Sequence, residues 1–206
     1  MQNEEGKVIQ DESKIRAIHE AGNITEAANM ALEAYGQEVF GFIINCVGYS
    51  SDSDDIFSLF CVDFWRGLPG FQWRSSLRTW AYSLARNATA RHLSSPHRRQ
   101  ERNLSLLDAP EVFEVAEKIR TTTAAYLRTT YKKSIRQLRK QLPVTDQMLL
   151  VLRVDRNLSW RDIAIVMESE NFDDDDTAQK AETRYRKRFE RIKNKLRDLA
   201  AAQGII

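Results

Sequence analysis

Glycine and proline are scarce in this chain, at 8 and 4 among 206 residues. With Ala, Leu, Arg and Glu plentiful, that scarcity predicts an all-α fold. Cysteine is nearly absent. Cys46 and Cys61 stand in apolar surroundings at a spacing that fits no zinc motif, and His19, His92 and His97 form no ligand cluster with them. Two buried, reduced thiols are expected and no metal site. No Gly-rich loop could cradle a phosphate, no carboxylate pair stands in a catalytic context, and no nucleophile motif occurs, so neither an enzyme nor a cofactor is expected. No apolar run approaches the length of a membrane span, and the polar, acidic stretch from Met1 to Ser13 lacks the charged-then-apolar pattern of a signal peptide. A cytoplasmic protein with no membrane partner is the expectation. The 42% hydrophobic and 29% charged shares are those of a globular chain, long enough for two small domains or one of ordinary size.

Net charge is only +2, but it sums opposed segments. Seven Arg face one acid, Glu101, between Gln72 and Arg102, and nine Lys or Arg face three acids between Lys180 and Leu199. Six carboxylates and no base lie between Glu168 and Asp176. Two separated basic patches suit a polyanion partner, although solvated helix faces would give the same counts.

Helical periodicity is clear in several stretches. One helix is predicted from Asn23 or Thr25 to about Cys46. A polar turn over Gly48 to Asp54 leads to a second from Asp55 to about Gly67, broken at Leu68-Pro69-Gly70. A third runs from Ser75 or Ser76 to about His92. Residues 1–22 read as a tail, 23–97 as one domain and 98–114, with Pro110, as a linker. Residues 115–206 read as a second domain with helices to Gln141, over Thr145 to Val154, over Ser159 to Met167, and from about Thr177 to Ala202. Ser159 is placed to cap its helix.

Two constellations carry chemistry. In the last helix Tyr185, Phe189, Ile192, Leu196 and Leu199 form an apolar stripe, which leaves Arg184, Arg186, Lys187, Arg188 and Arg191 on the other faces. Preceded by the short helix from Ser159, this is a helix-turn-helix layout. A helix of about 10 Å diameter fits the DNA major groove, where Arg pairs with guanine and Lys with phosphate. Packing on a partner or on anionic lipid would use the same face. The segment Phe71-Gln72-Trp73-Arg74-Ser75-Ser76-Leu77-Arg78-Thr79-Trp80-Ala81-Tyr82-Ser83-Leu84-Ala85-Arg86-Asn87 interleaves rings with Arg, as unpaired bases require: rings stack on base faces and guanidiniums hold phosphates. Trp80 and Leu84 read partly as core, which leaves Arg74, Arg78 and Arg86 unexplained.

These residues carry a resemblance. The chain resembles bacterial sigma factors of the extracytoplasmic-function group, in the sigma-70 family, which keep only the second and fourth domains. Such proteins show an acidic-aromatic helix ending in Trp, then Leu-Pro-x-Phe, then Ser-x-Arg-Thr-Trp-x-Tyr-x-x-Ala-Arg-Asn. Here these are Asp54 to Trp65, Leu68-Pro69-Gly70-Phe71 and Ser76 to Asn87. The fourth-domain pattern is met by Leu142-Pro143, Met148 to Arg153 and Leu158-Ser159-Trp160-Arg161-Asp162-Ile163-Ala164. The likeness covers about Thr25 to Leu199 and is most specific in the second domain.

The resemblance implies two small helical domains on a flexible linker, with core RNA polymerase and promoter DNA as partners. Phe71, Trp73, Arg74, Ser76, Arg78, Thr79, Trp80, Tyr82, Arg86 and Asn87 would melt and hold the −10 element, with a base flipped into the loop near Phe71 to Ser76. Arg184, Arg186, Lys187, Arg188 and Arg191 would read the −35 element. Asp54, Asp55, Ser58, Leu59, Asp63 and Trp65 would dock on the clamp helices of the largest polymerase subunit, the flap being a further contact. The linker after Pro96 would thread toward the RNA exit path.

The chain departs from the family pattern twice. Ser58-Leu59 stands where a Gln-acid pair is usual, which removes charge complementarity to a basic clamp. Phosphorylation at Ser51, Ser53 or Ser58 would restore an anion, and an ordinary surface serine is the plainer reading of each. The acidic stretch from Glu168 to Gln179 replaces a short turn, as a mask over Arg184 to Arg191 or as an inert insertion. A Ser/Thr kinase and an anti-sigma factor stay open as regulatory partners. A duplex-binding helix-turn-helix regulator and an initiation-deficient interaction protein stay open as alternative functions.

Overall fold

The computed structural model describes residues 12–94, 110–130 and 137–205. The expected linker over 98–109, with Arg98, Arg99 and Arg102 of the first basic patch, lies outside the described residues. So do 1–11 of the expected tail and 131–136 of the helix predicted to reach Gln141. Among the described residues the fold is all-α. α1 covers 12–20, α2 Ile24–Val47, α3 Ser51–Gly67 and α4 Leu77–Ser94. α5 follows over Pro110–Thr130, α6 over Val144–Leu150, α7 over Trp160–Glu168 and α8 over Asp175–Ala202.

α2 is the axis of the molecule. Val39 to Ile44 is apolar on every face apart from Gly41, and a helix apolar all round must be covered all round. α3, α4, α5 and α6 cover it, burying Phe40, Phe42 and Ile43 completely. Two glycines permit the close approaches. A Cβ at Gly36 would stand 2.5 Å from Ile119 Cδ1 of α5, and one at Gly41 would stand 2.7 Å from Arg156 Nη2.

Several element ends differ from the sequence reading. α3 begins four residues early, at Ser51, because the Ser53 hydroxyl accepts from Ser50 N–H at 3.1 Å and donates to Ser50 O at 2.7 Å. Polar residues that read as a turn are therefore an N-terminal cap with its acidic first turn. α5 begins at Pro110, where proline's missing N–H costs nothing. It packs on α2 and α3 rather than with the C-terminal helices. Residues 12–20 of the expected tail form a helix with Ile15 fully buried. Ser159 caps α7 as expected, accepting from Asp162 N–H at 3.1 Å.

Both cysteines are free and buried; burial pushes the Cys61 thiol up to about 12 and raises that of Cys46 as well. Among the described residues no helix is long and apolar enough to cross a membrane, and no cluster of His, Cys, Asp and Glu could hold a metal.

Candidate nucleic-acid interface

The loop between α3 and α4 brings three rings together. Phe71 stacks on Trp80 at 4.7 Å between centroids, Trp73 tilts against Phe71 at 5.0 Å, and Phe64 supports Trp80 from the core side at 5.0 Å. All three of these rings, Phe71, Trp73 and Trp80, are half-buried. Trp73 adopts φ +58°, a left-handed conformation uncommon for a bulky residue. Ser76 is exposed and caps α4: its hydroxyl oxygen accepts from Thr79 N–H at 3.0 Å. Glu12 of α1 accepts from Leu77 N–H at 2.8 Å at the same helix end.

Arg78 is held by Glu38 of α2 in a two-point pair at 2.7 and 2.9 Å. Burial disfavours its charge, but the Glu38 carboxylate outweighs this and raises its pKa. Arg86 donates to Asn87 Oδ1 at 2.9 Å. Tyr82 is fully buried, edge-on to Phe42 at 5.4 Å, so in this arrangement it is core and not surface.

The C-terminal helices lie over this face. Thr79, 1% exposed, donates to Asp162 of α7 at 2.9 Å. Arg78 donates to the Arg156 carbonyl at 3.3 Å, and Asn87 accepts from Ser169 at 2.8 Å. Arg74 is exposed and pairs with Asp173. Sequence reasoning missed Glu38, Arg156 and Asp162. Asp162 carried a signal, since it stands in the Ser159 cap motif, but nothing local marked its second partner.

On α8 the five basic residues divide. Arg188 is tied to Asp146 and Thr145 at 2.7 Å each, Arg184 pairs with Glu168, and Arg186 pairs with Glu182 at 3.3 Å. Lys187 and Arg191 are exposed and, among the described residues, unpaired. The acidic stretch does not lie across the patch. Asp173 reaches Arg74, Asp174 caps α8 at Thr177 N–H (2.7 Å), Asp175 reaches Arg161 at 3.0 Å, and Asp176 pairs with Lys180. Only Arg184 is engaged, by Glu168.

On α3, Asp54, Asp55, Ser58, Leu59, Asp63 and Trp65 are all partly exposed. α5 reaches this surface: Arg120 donates to the Ser58 hydroxyl at 3.0 Å. Asp54 has a raised pKa, chiefly from burial and also from neighbouring Asp55 and Glu117, with Arg120 opposing. Asp63 pairs with Arg91. Of the three candidate serines Ser51 is exposed and Ser58 half-buried, while Ser53 is fully buried in the cap.

Residues 31–100 match the Sigma-70 region 2 family. That span holds α3, the ring-bearing loop and α4. Over 145 residues the chain is 28% identical to the RNA polymerase sigma-H factor of Pseudomonas aeruginosa, covering 69% of this chain and 75% of that protein. The region 2 match falls on the aromatic-arginine segment itself, so the likeness to the sigma-70 family is carried by α3, the ring-bearing loop and α4.

Proposed function

We propose that this protein is an alternative sigma factor of the extracytoplasmic-function type, acting in the cytoplasm with core RNA polymerase and promoter DNA. The polymerase supplies the chemistry; this chain supplies recognition. α3 docks on the clamp helices, and the loop and α4 from Phe71 to Asn87 hold the separated −10 strand. α8 reads the −35 element, with Lys187 and Arg191 the side chains free to do so. The observation that carries this reading is the cluster Phe71, Trp73 and Trp80 within the region 2 match. Half-buried rings followed in the chain by the exposed Arg74 suit an unpaired strand.

Asp162 of α7 and Ser169 at its C-cap lie against Thr79 and Asn87, so strand binding requires the C-terminal helices to leave α4. Run-off transcription with purified core polymerase on a library of promoter fragments tests the reading. Promoter-dependent transcripts and strand opening are expected. Opening also separates this reading from a duplex-binding regulator and from an initiation-deficient interaction protein. Failure to co-elute with core polymerase in any modification state would sink it.

Control by phosphorylation belongs to the same proposal. A phosphoryl group on Ser58 or Ser51 adds about −1.5 to −2 charge to a docking face where Leu59 is neutral. Ser53 is reachable only if the first turn of α3 opens. Ser58→Glu is expected to transcribe more than Ser58→Ala in the reconstituted assay; equal output from both and from wild type removes this control.

A further inference from the structure

α1 precedes the region 2 match, yet it reaches the ring-bearing loop through one side chain. His19 Nε2 lies 2.8 Å from the Leu68 carbonyl, and Trp73 Nε1 lies 3.3 Å from His19 Nδ1. A carbonyl only accepts and an indole N–H only donates. One neutral tautomer, protonated at Nε2, therefore satisfies both partners at once. We propose that His19 is a positioning residue for the promoter strand: it clasps Trp73 to the end of α3 and so presents the loop rings preformed to an unpaired base. The inference rests on the strand-binding reading of the loop.

Three observations make the clasp more than incidental packing. Trp73 sits at φ +58°, which a bulky L residue holds only when its surroundings enforce it. The imidazole meets the indole edge-on at 5.7 Å, and Arg16, one turn earlier on α1, places its guanidinium 5.3 Å from the same ring. Phe71, between Trp73 and Trp80, is then fixed from both sides. Leu68 opens the short turn that carries the chain out of α3, so His19 pins the loop at its start and at its ring. A base that stacks on rings already in place does not pay for ordering them.

The test uses holoenzyme reconstituted with core RNA polymerase. It measures binding of a short fluorescein-labelled random-sequence single strand, with a random-sequence duplex as the control. His19→Ala is expected to weaken single-strand binding roughly fivefold, as loss of the hydrogen bond that holds the Trp73 ring does, with duplex binding unchanged. Trp73→Phe keeps a ring but loses the N–H and is expected to match it. The double variant is expected to be no weaker than either single one. His19→Gln, whose amide can donate to Leu68 and accept from Trp73, is expected to restore binding.

Equal single-strand binding by wild type and His19→Ala overturns the inference while leaving the strand-binding reading intact. A proportional loss of duplex binding, or additive losses in the double variant, also overturns it by reducing His19 to general packing. Wild-type holoenzyme that ignores single strands removes the strand-binding reading, and this inference with it.

Discussion

At the scale of single residues, backbone conformation and capping decide more than side-chain type suggests. Gly48 ends α2 at φ +88°, ψ +168°, a region essentially closed to residues with a Cβ, while its N–H donates to Ile44 O at 2.8 Å. Nothing lies within 4 Å of a Cβ built there, so space is not the constraint. Gly48→Ala is expected to destabilise the fold by about 1–3 kcal/mol, measured by urea denaturation. An unchanged midpoint would mean that α2 ends differently in solution. The glycine was visible in the sequence as part of a turn, but its dihedral was not. Trp73 and Ser76 are similar cases: the motif marked both, but not that Trp73 takes a left-handed backbone conformation beside His19 or that Ser76 caps α4.

At the scale of elements, periodicity located the cores of α2, α3, α4, α7 and α8, because each buries a stripe that repeats at helical spacing. The ends were harder to read. Ser, Asp and Pro mark both turns and helix starts, which is why α3 and α5 begin before their predicted positions. The acidic run shows the same ambiguity. It read as a mask or an inert insertion, yet Asp174 is the N-cap of α8. Its hydrogen bond from Thr177 holds its carboxyl below the ordinary carboxylate range. A group with a lowered folded pKa gives its full support above the unfolded value and loses it as pH falls through the folded one. The Thr177 amide shift, followed by NMR, is therefore expected to move on acidification below the carboxylate range in wild type. In Asp174→Asn, which keeps the acceptor without the titrating charge, it should stay fixed. A moving shift in the variant would assign the titration to another group.

At the scale of the whole molecule, the docking of the C-terminal helices on α2 and α4 could not be read from the sequence. Its polar contacts join residues such as Thr79 and Asp162, 83 positions apart, and no local pattern pairs them. The seat on α2 makes the docking testable. Alanine at Gly41 gains about 1 kcal/mol of helix propensity, but its Cβ would stand 2.7 Å from the Arg156 guanidinium. Gly41→Ala is thus expected to raise the urea midpoint in an Arg156→Ala background and to raise it less, or lower it, when Arg156 is present. The same effect in both backgrounds would mean that Arg156 does not rest on α2. If it does rest there, the cover and the surface it covers belong to one polymer, and their encounter is set by tether length instead of by protein concentration. Making more copies would not free a larger fraction of them. Only a binder that prefers the open form could do so, by at least the free energy that docking supplies.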